Sequence, residues 1–212
     1  MVLDSQRRNV DPILTFFAKK FSVFSPNTLT WFSLVFAVFA GFFFYFSDRT
    51  YELQNHFLYI ASLFVFLNGF FDAIDGKVAK ITKKTSLKGV FLDHALDRYS
   101  DVFIIGGLAL SQWCRPSIGM LAIIGTLLTS YMGTQAQAVG NKRIYRGLLG
   151  RADRLFLLIV TPMVQHLFIY YNLHIPFFVS ALEIVMLYFA IVGNLTALQR
   201  FYYILRWFNE EK

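Results

Sequence analysis

The sequence predicts an all-α integral membrane protein with six transmembrane helices, preceded by an amphipathic helix that lies in the membrane interface. Three observations support this fold class. Of the 212 residues, 56% are hydrophobic and only 16% are charged, whereas soluble domains carry about 25% charged residues. Several segments supply the roughly 20 apolar residues that a helix needs to cross a bilayer. Basic residues concentrate in alternate loops, as is typical of a multi-pass protein.

The predicted elements form a single membrane domain over residues 1–212. Residues 11–24 place apolar side chains at helical spacing and Lys19 and Lys20 opposite them, which favours an interfacial helix, although a solvated helix has a similar pattern. Ser25-Pro26-Asn27 is a typical helix start. The six expected spans are about residues 28–46, 56–79, 87–111, 117–139, 152–170 and 177–207.

The distribution of basic residues predicts the orientation. Six spans place both termini on one side, and that side receives most of the lysines and arginines, whereas the opposite loops hold only Arg49 and Arg115. Basic loops stay in the cytoplasm, so we expect both termini to be cytoplasmic. The net charge of +7 then reflects topology and contact with anionic lipid or phosphate, which argues against nucleic-acid binding. The basic residues on the predicted cytoplasmic side are Arg7, Arg8, Lys19, Lys20, Lys83, Lys84, Lys88, Lys142, Arg143, Arg146, Arg151 and Arg206.

Four aspartates interrupt the apolar sequence between the second and third spans. Asp72 and Asp75 are three residues apart, and Asp93 and Asp97 are four apart. Residues at these spacings share one face of a helix. Because a short loop joins the two helices, they are expected to be antiparallel neighbours with the acidic pairs facing each other at similar depth.

Converging carboxylates repel one another unless cations neutralise them. Lysines of the same segment, Lys77, Lys80 and Lys88, could neutralise part of the charge, and the aspartates would then be ordinary helix-end residues. A divalent ion is the better solution, because magnesium and manganese prefer hard oxygen ligands and retain positions for phosphate oxygens. The segment therefore predicts a metal site at the cytoplasmic boundary.

The order Asp72, Asp75-Gly76, Ala79, Gly89, Asp93, Asp97 resembles the signature of the CDP-alcohol phosphotransferase family, the integral membrane enzymes of phospholipid synthesis. The match covers 26 residues and fixes seven identities. The start of the first span, residues 26–30, is also similar to the family, so the resemblance extends over most of the chain. Lys80 departs from the pattern, since the family has arginine there; lysine keeps the charge but loses the bidentate fork.

The resemblance implies transfer of a phosphatidyl-type group from a CDP-linked lipid to an alcohol, with release of CMP, by a homodimer. It implies that Asp72, Asp75, Asp93 and Asp97 hold magnesium or manganese, as two ions, against the donor's diphosphate, and that Asp97 is the catalytic base. The residues that it assigns to CDP binding are Asn27, Thr30, Asp75, Gly76, Ala79, Lys80 and Gly89.

Charged residues near the fifth and sixth spans predict the acceptor site. Arg151, Asp153 and Arg154 stand at the start of the fifth span, and Arg200 lies in the sixth. Three arginines suit a phosphate on the acceptor, although anchoring at the interface is the alternative role for each of them. Similar basic positions occur in relatives that use inositol phosphate or glycerol phosphate. Charged residues of the inositol-phosphate branch are replaced here by Gly133, Gln135 and Gln137.

Other functions remain open at this point. The same chemistry could use an unphosphorylated acceptor such as serine, ethanolamine or inositol. A transporter would need polar residues that continue through the outer halves of the spans, and those halves are largely apolar. A catalytically silent relative would have lost a motif aspartate, and all four are present.

Overall fold

The structure is a computed structural model. It describes residues 7–48, 50, 52–141, 144, 147–173, 175–178 and 180–210, and within these residues the fold is all-helical. The helices are α1 (Arg7–Phe21), α2 (Pro26–Phe46), the short α3 (Glu52–Asn55), α4 (Phe57–Ile81), α5 (Leu87–Ala109), α6 (Pro116–Ala138), α7 (Arg151–Tyr170) and α8 (Ala181–Glu210). Basic residues of the orientation prediction that lie outside the described residues are Arg49, Lys142, Arg143 and Arg146, together with the side chains of Arg7 and Arg8.

Five of the described helices, α2, α4, α6, α7 and α8, are long and apolar enough to cross a membrane. The prediction of an all-α membrane protein is therefore confirmed. The count of six spans is not confirmed, because α5 is not among the helices that are apolar enough to cross a membrane. Its 23 residues extend about 34 Å, which is enough for the hydrocarbon core, but its first half carries the motif aspartates.

The first helix is shifted relative to the predicted residues 11–24. It begins at Arg7 and ends at Phe21, where a turn closes with the Phe24 N–H donating to the Phe21 carbonyl at 3.0 Å. The next helix is already capped at Ser25, whose Oγ accepts from the Thr28 N–H at 3.2 Å. Since Pro26 follows directly, residues 22–25 connect two helices and do not extend the first.

The last helix begins at Ala181, four residues after the predicted start at 177. Phe177 has a left-handed φ of 68°, which no α-helix accommodates, and Ser180 caps the helix by accepting from the Glu183 N–H at 3.0 Å. Within α8, Phe189–Gly193 form a π-helical turn. The carbonyl of Gly193 there accepts a hydrogen bond of 2.8 Å from the Thr129 hydroxyl of α6.

Helix α2 lies at the centre of the N-terminal half and packs against α4 and α5, whereas α6 packs against α5 and α8. Gly41 and Gly107 allow α2 and α5 to cross in backbone contact, because a Cβ on Gly107 would overlap the Gly41 backbone. Phenylalanines of α2 such as Phe39 and Phe42 point outward and are about half exposed. Such a surface is typical of helices in contact with lipid tails.

Helix α1 packs beneath the helix that carries the first two aspartates. Its Ala18 is buried against Ile74 and Val78 of α4, and the Lys77 Nζ lies 2.5 Å from an Asp11 carboxylate oxygen. The opposite face of α1 exposes apolar side chains, including Phe16 at 64%. An amphipathic helix held in this way supports α4 at the motif, and its location in the membrane interface stays a prediction.

Candidate active site

Asp72 of α4 and Asp93 and Asp97 of α5 converge, with one carboxylate oxygen of each lying within 4.8 Å of the others. The short turn between α4 and α5 brings the end of one helix next to the start of the other. Along the rest of their length α4 and α5 are not the packed neighbours that the sequence predicted, because α2 packs against both of them. Asp75 stands outside this group of three. It is 5% exposed, and its Oδ2 has no hydrogen-bond partner among the described residues.

These donors fit a divalent metal. Three carboxylate oxygens within one ion's reach form a hard, anionic ligand set of the kind that magnesium and manganese prefer. A buried carboxylate oxygen without a partner is costly, and a cation beside Asp75 would satisfy it. The group is only partly buried, and the cytoplasmic orientation of this end of the helices stays a prediction.

Arginines contact two of the four motif carboxylates, those of Asp72 and Asp97. The Nη1 of Arg151 lies 2.6 Å from Oδ2 of Asp72 and 2.6 Å from Oδ1 of Asp97. The Nη1 of Arg98 lies 3.2 Å from Oδ2 of Asp97. Lys77, which the sequence offered for this role, pairs with Asp11 on α1 instead. Arg151 also has its Nε and Nη2 buried without partners among the described residues.

A second ion pair lies one helical turn deeper. The Nη2 of Arg154 is 2.8 Å from Oδ2 of Asp101, and the two side chains are only 3% and 8% exposed. Arg154 follows Arg151 by three residues and Asp101 follows Asp97 by four, so the two pairs stack as a ladder between α7 and α5. Asp101 continues the helical stripe of Asp93 and Asp97 by one further turn. Spacing along α5 placed it on the right face, but nothing local identified its partner.

Asp153 and Arg200, the other residues predicted to bind the acceptor, make contacts apart from the carboxylate group. The Asp153 carboxylate accepts from the Gly150 N–H at 3.2 Å and so helps to cap α7. Arg200 of α8 is 7% exposed and donates from Nη1 to the Thr129 carbonyl at 2.6 Å. A Cβ on Gly133 would lie 3.0 Å from the same nitrogen, so a glycine there leaves room for the guanidinium. The acceptor role of these residues stays a prediction.

An open cleft with a volume of about 190 Å³ lies between the start of α2, the end of α4 and the start of α5. Gly76 faces open space, since an added Cβ would meet no atom within 4 Å. The cleft is lined by every residue that the sequence assigned to CDP, together with Asp93: Asn27, Thr30, Asp75, Gly76, Ala79, Lys80 and Gly89. Lys84, Thr85 and Ser86 also line it and were not assigned.

Known proteins resemble this chain in sequence and in fold. Archaetidylinositol phosphate synthase of Pyrococcus horikoshii is 32% identical over 139 residues, which are 66% of this chain and 69% of the relative. The solved structure of Mycobacterium tuberculosis phosphatidylinositol phosphate synthase with CDP-DAG bound has a TM-score of 0.72 at 23% identity, covering 91% of this chain and 94% of that one. The same enzyme in complex with manganese and citrate has a TM-score of 0.71 at 22% identity, covering 91% and 88%.

A match to a family of sequences identifies the chain. Residues 23–197 match the sequence profile of the CDP-alcohol phosphatidyltransferases, and this range begins before α2 and ends within α8. It includes the carboxylate group, the cleft and the α5–α7 ladder. The chain therefore belongs to the CDP-alcohol phosphatidyltransferase family and is a membrane transferase of phospholipid synthesis.

Proposed function

We propose that the protein transfers the lipid-phosphate group of a CDP-linked lipid to a hydroxyl of an inositol phosphate and releases CMP. The observation that carries the proposal is the convergence of Asp72, Asp93 and Asp97 within 4.8 Å, beside the cleft that all of the predicted CDP residues line. The Pyrococcus relative is named for inositol phosphate chemistry, which favours this acceptor over glycerol phosphate.

The transfer step forms one oxygen–phosphorus bond and breaks another. The acceptor hydroxyl oxygen bonds to the lipid-bearing phosphorus, and the bond from that phosphorus to the bridging oxygen of the diphosphate breaks, so that CMP leaves with the oxygen. The hydroxyl proton passes to the Asp97 carboxylate, which acts as general base. Arg151 and Arg98 contact both oxygens of Asp97 and hold this carboxylate in place.

Magnesium or manganese held by the motif aspartates would neutralise the diphosphate and the departing CMP. Two ions suit a set of four carboxylates, three of them close together and Asp75 beside them. The manganese complex of the Mycobacterium structure supports this choice of metal. Excess chelator should abolish CMP release and added magnesium or manganese should restore it. Equilibrium dialysis should find two manganese ions per chain in the wild type and fewer in Asp72→Asn.

The acceptor's phosphate is expected to meet Arg151, Arg154 and Arg200. The buried Nε and Nη2 groups of Arg151 have no partner among the described residues, although its Nη1 touches the proposed base. An anion that accepts from these groups would bring the acceptor next to Asp97, and charge-assisted bonds of this kind are about twice as strong as neutral ones. Asp153 contributes by fixing the first turn of α7.

Orientation and assembly complete the proposal. The termini and the cleft are cytoplasmic, α1 lies in the interface, residues 1–212 form one domain, and two copies form a homodimer. The exposed apolar and basic side chains of α1 support its place at the interface. Light scattering in mild detergent and in lipid discs tests the dimer, and a monomer in both would contradict it.

The decisive experiment uses purified protein with CDP-linked lipids of ester and ether type. Inositol phosphate, glycerol phosphate, free inositol, serine and ethanolamine are offered in turn, and CMP release is followed. The largest kcat/KM is expected for inositol phosphate. If free serine or unphosphorylated inositol is the best acceptor, the phosphate site is wrong and the arginines only anchor the helices. If CMP is not released with any acceptor, the transferase assignment itself fails for this chain.

A further inference from the structure

The turn between α4 and α5 contributes an unassigned side chain to the cleft. Lys84, Thr85 and Ser86 line the same cavity as the motif residues, although they belong to none of the motif positions. We propose that Lys84 is a second cationic ligand for the donor's diphosphate and acts together with Lys80. This inference rests on the proposed function, because it assigns one further residue to the donor subsite.

Backbone hydrogen bonds fix the position of Lys84. Helix α4 ends at Ile81 and Thr82 is its C-cap. The Lys83 N–H donates to the Lys80 carbonyl at 3.3 Å, and the Lys84 N–H donates to the Ala79 carbonyl at 3.0 Å. Lys83 between them has a left-handed φ of 55°. These two bonds and this conformation make a Schellman closure of the helix. Lys84 is therefore tied to a residue of the cleft wall.

The other end of the turn is fixed as well. The Ser86 Oγ accepts from the Gly89 N–H at 3.0 Å and caps α5. Only Thr85 lies between the helix closure and the cap. The cleft consequently borders the N-terminus of α5, where the helix dipole favours an anion.

The charges in the cleft divide into two sets. Asp75 and Asp93 supply negative charge, and Lys80 and Lys84 supply positive charge. Within the part of the chain that the structure describes, neither lysine forms an ion pair with a carboxylate. An anionic ligand could contact the lysines directly and the aspartates through a bound metal ion. A nucleoside diphosphate is such a ligand.

Lys84 also explains how the site functions with lysine at position 80. A lysine meets a phosphate as a point charge, whereas an arginine offers two parallel donors. Lys80 and Lys84 are four residues apart and line the same cleft. Together they present two cations to the two phosphates, which restores a contact that a single lysine cannot make.

The test compares Lys84→Ala and Lys84→Gln with Lys88→Ala. Lys88 is an exposed lysine of the same region that does not line the cleft, so its removal matches the change in surface charge. Titration calorimetry with CDP should show an affinity about tenfold weaker for both Lys84 variants, as expected for the loss of one charge-assisted bond. Lys88→Ala should bind CDP within twofold of wild type, and Lys84→Arg should bind nearly as well as wild type.

Kinetics supply the second measurement. The Lys84 variants should raise the KM for the CDP-lipid about tenfold and leave the KM for inositol phosphate unchanged. The assignment of Lys84 is overturned if CDP binds these variants within twofold of wild type, or if Lys88→Ala has an equal effect. The two proposals fail separately. A wild-type protein that binds CDP but does not use inositol phosphate refutes the proposed acceptor, whereas an unchanged Lys84 variant refutes only the diphosphate contact.

Discussion

The protein should lose far more stability when one partner of the buried Asp101–Arg154 pair is neutralised than when both partners are neutralised. The pair joins α5 to α7, and its side chains are 8% and 3% exposed, so water screens the charges little. Asp101→Asn leaves the guanidinium buried without its counter-charge, and such a loss costs about 3–5 kcal/mol. For a chain of this size the corresponding fall in melting temperature is about 10 °C.

The assay is thermal melting in lipid discs, followed by the fluorescence of the three tryptophans. Asp101→Asn and Arg154→Met should each melt about 10 °C lower, and the double variant should melt closer to wild type than either, because it buries no lone charge. Arg206 and Glu210 provide the matched control, since they form an equally short pair at 70% and 61% exposure. Neutralising either of them should leave the melting temperature unchanged.

Two results would refute this reasoning. One is a melting temperature for Asp101→Asn that differs from wild type by less than about 2 °C, which is the error of the method. The other is simple addition of the two single effects in the double variant, which would mean that the side chains do not interact. The ladder also predicts a loss of turnover in Asp101→Asn, because Arg154 stands one turn from Arg151 at the carboxylate group.

Three further outcomes are expected. Asp97→Asn should lower kcat by about 10²–10⁴-fold while CDP binding remains measurable. Asp72→Asn should weaken CDP binding as well. Near-normal turnover in Asp97→Asn would exclude Asp97 as the base. Arg200→Ala should raise the KM for inositol phosphate at least tenfold without changing the KM for the CDP-lipid, and equal changes in both would point to a packing role. Burial, reinforced by the nearby Glu183, raises the pKa of the Cys114 thiol to about 11, so iodoacetamide at pH 8 should label the denatured chain but not the folded one.

Local spacing was enough to predict the centre of the site. Asp93 and Asp97 share a face because four residues make about one helical turn, and the short connection to α4 brings that face towards Asp72. The CDP residues came from the resemblance to a known family, and the structure places all of them along one cleft. Both predictions depended on relations within a few turns of two adjacent helices.

Contacts between distant helices could not be predicted in this way. Arg151 meets Asp72 across 79 residues of sequence, and Glu183 meets Arg115 across 68. Single charges without a repeated spacing carry no information about their partners. Local sequence offered the nearby lysines only as partial counter-charges beside a metal ion, whereas the side chains that contact Asp97 and Asp72 are arginines of α5 and α7. Lys84 was missed for another reason, since its position depends on the left-handed conformation of Lys83.

The π-helical turn in α8 has a consequence for sequence alignment. Each residue of an α-helix advances the direction of its side chain by about 100°, and a π-turn is equivalent to one residue inserted into an otherwise regular helix. Because the turn absorbs this extra residue, deleting one residue within Phe189–Gly193 would restore a regular helix and leave Arg200 facing the Thr129 carbonyl that it now contacts. If the same residues formed an uninterrupted α-helix, Arg200 would instead point about 100° away from that carbonyl. An alignment that passes through this turn without a gap would therefore pair Arg200 with a residue on a different face of the helix in any relative whose last span is uninterrupted.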